Sequence, residues 1–118
     1  MILVDTSVWI DHLRKTDEEL SRLLDLGLVL CHPFVIGEMA CGNMINRAEI
    51  LELLAALPKA EVASHEEALH LVTDRRLWGK GIGWIDVHLL ASALLSNGTL
   101  WTKDKALQSV AHSLNVGA

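Results

Sequence analysis

Apolar residues in this chain fall into short runs that alternate with stretches of helical periodicity. Ile2-Leu3-Val4 is a continuous apolar run closed by Asp5, which predicts a short buried strand. From Val8 to about Arg14 the spacing predicts a helix with Trp9, Ile10 and Leu13 on its apolar face and Thr6 or Ser7 as its cap. Thr16-Asp17 caps a second expected helix, Glu18 to about Leu26, which Gly27 stops. Leu28 to Cys31 reads as a second buried strand, and Pro33 suits the first turn of a helix reaching Gly42. Asn46 or Arg47 opens a helix to Leu57, halted by Pro58, whose Ile50, Leu53, Leu54 and Leu57 make a stripe expected to face the core. Glu61 to Ala63 is a weak strand, and Ser64 with Glu67 forms a capping box for a helix to about Trp78. After the loop Gly79-Lys80-Gly81-Ile82-Gly83 the pattern predicts a helix from Ile85 to Ser96 and a strand from Thr99 to Thr102. A last helix runs from about Lys105 to Leu114, with a short terminal strand expected after it.

Strands alternating with helices imply an α/β sandwich around a mainly parallel sheet. No linker, repeat or low-complexity tract divides the 118 residues, so residues 1–118 are expected to be one domain. A hydrophobic content of 51% is ample for a packed core. No apolar run approaches the roughly eighteen residues of a membrane span, and Asp5 breaks the first run too early for a signal peptide. Cys31 and Cys41 fit neither a C-x-x-C nor a zinc spacing and are expected as reduced core thiols in a cytoplasmic protein. The net charge of −5 argues against broad electrostatic attraction to nucleic acid. A nuclease remains compatible with it, because acids committed to a metal carry much of that charge.

The chemistry lies in where the acids fall. Asp5, Asp86 and Asp104 each close an apolar stretch, and Glu38 interrupts Phe34-Val35-Ile36-Gly37-Glu38-Met39-Ala40 where helical burial predicts a hydrophobe. Carboxylates in or beside buried segments are costly without a positive partner. No single lysine or arginine is spaced to serve all four, so a shared divalent cation is the economical partner. Oxygen-only donors favour Mg²⁺ or Mn²⁺ over zinc. Asp5 and Asp104 sit at the carboxyl ends of their strands, where parallel sheets bind ligands, and Asp86 sits in a first helical turn, which favours an anion. Such a cation would activate a water for in-line attack on phosphorus and neutralise the leaving oxygen. Singly, Asp5, Asp86 and Asp104 each have an ordinary explanation as caps or turn residues. Together with Glu38 they outline a phosphoryl-transfer site.

The block Ile2-Leu3-Val4-Asp5-Thr6-Ser7-Val8-Trp9-Ile10 resembles the opening of PIN-domain ribonucleases, specifically VapC-type toxins of type II toxin–antitoxin pairs. The Glu38 helix, the Asp86 helix with Ala91-Ser92-Ala93, and Leu100-Trp101-Thr102-Lys103-Asp104 follow in that family's order and extend the resemblance over essentially the whole chain. It implies a PIN-like three-layer sandwich and a Mg²⁺-dependent endoribonuclease acting on single-stranded or looped RNA under the control of a cognate antitoxin. It also implies a homodimer. Asp5, Glu38, Asp86 and Asp104 match the family's four acids, with Asp5, Asp86 and Asp104 as metal ligands and Glu38 acting through water. Thr6, Ser7 and Thr102 match polar positions that line the same pocket.

Arg75, Arg76, Lys80, Lys103 and Lys105 are candidates for phosphate contacts, or else solvated charges on helix ends. Histidine catalysis is not expected, and His88 should point away from Asp86. Trp9, Trp84 and Trp101 are expected in the core, leaving Trp78 as the base-stacking candidate. A groove between the Glu18–Leu26 helix and the leucine stripe would suit an amphipathic antitoxin segment if Leu53 or Leu54 were exposed. Two competing readings are another Mg²⁺-dependent phosphoryl-transfer enzyme and a non-catalytic PIN-fold binding module. Asp5-Thr6-Ser7 in place of D-x-D weakens the first, and all four acids being present weakens the second.

Overall fold

The structure is a computed structural model describing residues 1–118. The first apolar run forms β1 (Ile2–Val4), which passes through Asp5 into α1 (Thr6–Arg14); α2 (Glu18–Asp25) then returns the chain to β2 (Val29–Leu30). Four helices follow without an intervening strand: α3 (Pro33–Cys41), α4 (Arg47–Ala56), α5 (His65–Arg75) and α6 (Trp84–Leu95). β3 (Thr99–Trp101) and α7 (Lys105–Ser113) complete the chain. All three strands are parallel in the order β2-β1-β3, with Leu3 opposite both Leu30 and Leu100. Leu3 and Val4 point to opposite faces of the sheet and neither is exposed, so helices cover both sides. This is the expected α/β sandwich. No helix is long and apolar enough to cross a membrane.

Local signals set most boundaries. Asp17 accepts the Leu20 amide at 3.0 Å, Pro33 begins α3, and Ser64 and Glu67 form a reciprocal capping box on α5. Gly98 is required by close approach, since a side-chain carbon there would lie 2.7 Å from the Met1 carbonyl oxygen.

Several expectations are corrected. α1 starts at Thr6, and Asp5 holds the N-cap position without capping through its side chain. α5 stops at Arg75 because Arg76 turns left-handed (φ 54°) and tucks Leu77 into the core. Glu61–Ala63 forms no strand; the pairing occurs at Lys59, where Cys31 bonds Pro58 and Ala60 across a single parallel bridge. The terminal strand is likewise one bridge, Leu100 to Gly117. Val8 and Trp9 are the buried face of α1, while Ile10 and Leu13 are exposed; on α4 only Leu54 of the stripe is buried and Leu53 is exposed. Cys31 is buried, and burial pushes its thiol pKa up, whereas Cys41 is exposed at the end of α3. Trp84, expected in the core, is 40% exposed. Neighbouring elements decide which face of a helix is covered, and apolar spacing alone does not name them.

Candidate active site

Asp5 leaves the central strand at its carboxyl end and is only 8% exposed. Its Oδ2 accepts two hydrogen bonds of 2.8 Å, from Ser7 Oγ on α1 and Thr102 Oγ1 just past β3. Each hydroxyl also accepts a backbone amide: Ser7 from Lys103 at 3.0 Å and Thr102 from Asp104 at 3.1 Å. Both hydroxyl protons are committed to Asp5, so the 3.4 Å approach between Ser7 and Thr102 is a contact and not a bond. This network fastens β1 to β3 and fixes the Asp5 carboxylate in one orientation.

Asp104 follows on an exposed turn, where its Oδ1 caps α7 through the Leu107 amide at 2.9 Å. Asp86, in the first turn of α6, accepts the Gly83 amide at Oδ2 at 3.0 Å. This is half of a capping box, because Gly83 has no side chain to complete it. Burial pushes the Asp86 carboxyl above the usual carboxylate range; the Gly83 amide pulls it back, and the negative charges of Asp5 and Asp104 push it up again. Thr102 links Asp5 and Asp104, donating to the one and accepting the amide of the other, and α6 packs against β1 and β3. Glu38 lies on the exposed flank of α3, not buried as its apolar surroundings suggest, and its Oε1 accepts Thr6 Oγ1 at 3.0 Å.

A common pattern emerges: each acid engages one carboxylate oxygen with a protein donor and makes no hydrogen bond with the other. No three acidic, histidine or cysteine side chains are placed to share one metal ion by themselves. Mg²⁺ commonly keeps several waters and binds through one or two carboxylates, so free oxygens on neighbouring acids fit a hydrated Mg²⁺ or Mn²⁺. A cation would also offset the burial and the repulsion that together raise the Asp86 pKa.

Among the basic candidates, Lys103 pairs with Asp11 at 2.8 Å and Arg75 with Asp74 at 3.4 Å, while Arg76, Lys80 and Lys105 are exposed and make no ion pair. Trp78 is exposed beside the glycine loop. Leu53 is exposed, the condition set for a groove beside α2, while the apolar groove that the structure forms lies elsewhere. It is lined by Ile10 and Leu13 of α1, Glu38 and Met39 of α3, Met44 of the loop before α4 and Ile50 of α4; α2 takes no part.

Sequence reasoning missed a chain of rings beside the acids. His32, Phe34, His88, Trp84 and His65 follow one another at centroid separations of 4.7 to 5.2 Å. The four-residue interval between Trp84 and His88 was its one visible signal. His32 is fully buried and accepts the Phe34 amide through Nδ1, and burial pulls its imidazole pKa down to about 4.

Residues 2–113 match the PIN domain family. The chain is 51% identical over 110 residues to Ribonuclease VapC32 from two strains of Mycobacterium tuberculosis, an alignment spanning 92% of this chain and 89% of the relative. With its acids disposed around the ends of a short parallel sheet, the chain belongs to the PIN-domain family and to its VapC-type branch.

Proposed function

We propose that this protein is a metal-dependent endoribonuclease, the toxin of a type II toxin–antitoxin pair, which hydrolyses RNA phosphodiester bonds and is inhibited by a cognate antitoxin. What supports this reading is the placing of Asp5 and Asp104 at the carboxyl ends of β1 and β3, joined through Thr102, in a chain half identical to a ribonuclease. Mg²⁺, with Mn²⁺ as substitute, is the cofactor; Asp5, Asp86 and Asp104 would hold it in part through its bound waters, and it would supply an activated water and charge neutralisation at the leaving oxygen. The chain's own part is to present oriented carboxylates. Ser7 and Thr102 hold Asp5, Thr6 holds Glu38, and Glu38 orients the attacking water. The protein acts as a single domain in the cytoplasm, as a homodimer. The antitoxin's apolar segment occupies the groove of Ile10, Leu13, Met39, Met44 and Ile50, and a basic side chain beyond it meets Glu38.

The test is cleavage of a single-stranded RNA with Mg²⁺ and with EDTA, comparing the wild type with Asp5→Asn. Cleavage should require the metal and vanish in the variant. Activity surviving in EDTA, or unchanged in Asp5→Asn, removes this reading.

A further inference from the structure

The surface next to the acids is aromatic rather than polar. Phe34 at the start of α3 and Trp84 at the start of α6 border a depression of about 550 Å³, with Ile85 on one wall and Glu38 on the rim. Phe34 is 37% exposed and Trp84 40% exposed. Their outer surfaces meet solvent while their inner sides are fixed. The buried His88 ring packs against Phe34 at 5.0 Å and against Trp84 at 4.7 Å, nearly perpendicular to the indole. His32 braces Phe34 from the other side at 5.0 Å, and His65 braces Trp84 at 5.2 Å. Large rings held in place at a solvent-facing pocket are pre-organised to bind, because little side-chain freedom remains to be lost.

We infer that this depression is the subsite for one unpaired base of the RNA, stacked on Trp84 and Phe34 while the adjoining phosphate lies at the acids. The inference rests on the ribonuclease reading and adds the element that grips the strand. Three observations favour a base as the occupant. One of the four acids lines the depression and two others are next along the chain: Glu38 is bonded to Thr6, the neighbour of Asp5, and Trp84 precedes Asp86 by two residues in one helical turn. The only charged side chain on the rim is acidic, which repels a phosphate but accepts a neutral base. The rest of the lining is uncharged and largely apolar, with two aromatic rings as its largest side chains, which suits the face of a base.

Two readouts separate this inference from the reading beneath it. Short single-stranded RNA is titrated in EDTA while tryptophan fluorescence is followed in wild type and in Trp84→Phe. RNA should quench the wild type, and the part of the quench due to Trp84 should be missing in the variant. In Mg²⁺, an RNA cut by the wild type is re-made with single abasic positions around the scissile bond and given to wild type, Trp84→Ala and Trp84→Phe. Trp84→Ala should raise KM by about 5- to 100-fold with kcat nearly unchanged, and Trp84→Phe should restore most of the loss. One abasic position should cost the wild type that same factor and cost Trp84→Ala nothing more. A flat abasic scan, or equal abasic losses in wild type and Trp84→Ala, overturns the subsite and leaves the ribonuclease reading standing. A Trp84→Ala defect explained by dimer dissociation in sedimentation does the same. Trp84-dependent quenching without any cleavage overturns the ribonuclease reading and keeps the subsite; neither quenching nor cleavage overturns both.

Discussion

Two buried polar clusters in this protein obey opposite rules. Around Asp5 the hydroxyls of Ser7 and Thr102 each donate once and accept once, so the groups leaving β1 and β3 satisfy one another. Between α3 and α6, His32 Nε2, His88 Nδ1 and Ser92 Oγ are buried and find no partner within the protein. A satisfied network defines one geometry, and an unsatisfied one stores a desolvation cost. The first cluster presents a carboxylate. The second supports the rings beside it and is where the fold is vulnerable.

Acid is the strongest way to separate them. Burial lowers the His32 imidazole from its ordinary value near 6.5 to about 4. The stability it confers is complete above pH 6.5, declines as pH falls from there, and is lost once pH passes below about 4. The difference amounts to ~3 kcal/mol. Protonation also replaces the lone pair on Nδ1 that accepts the Phe34 amide, so α3 loses its cap in the same event. His32→Asn keeps a capping side chain and removes the titration. Urea midpoints taken between pH 4 and 7 should slope steeply for wild type and flatten for this variant, whatever its absolute stability. Equal slopes would relocate the sensitivity to other groups.

Thr102→Val makes the first cluster resemble the second. It removes a donor from Asp5 and an acceptor from the Asp104 amide while keeping the side chain's shape. RNA cleavage should drop about 10- to 100-fold, as when a partner that orients a metal-binding carboxylate is deleted, with a stability loss of about 1–3 kcal/mol. Unchanged cleavage alongside lowered stability would mean that Thr102 braces the fold without orienting Asp5. Ser92→Ala has the smallest effect: it removes a hydroxyl that bonds nothing, so thermal unfolding should stay within about 0.5 kcal/mol of wild type. A clear loss would reveal a buried water joining Ser92 to the two histidines.

The contrast also marks how far the sequence could be read. Asp17, Pro33 and the Ser64–Glu67 pair act within one turn of chain, and each lies where its local pattern places it. The acids were visible for the same reason, since an apolar run ending in Asp is a local event. That Ser7 and Thr102 converge on Asp5 was not legible from spacing: hydroxyls show no periodicity, and 95 residues separate the two. Only the family resemblance placed them in one pocket. Exposure was the least readable property. Ile10, Leu13 and Leu53 have core-like spacing yet face solvent, and Trp84 sits in an apolar run yet borders an open hollow. Glu38 shows the same limit from the other side: the residues around it suggest burial, but its own flank of α3 is uncovered.

The bond from Thr102 to Asp5 joins positions 97 apart, which has a bearing on synthesis. A polypeptide still emerging from the ribosome exposes its first acid early but cannot clamp it until β3 has cleared the exit tunnel. Until then Ser7 is the one hydroxyl on Asp5, so a nascent chain without β3 holds that carboxylate by half of its final bonds.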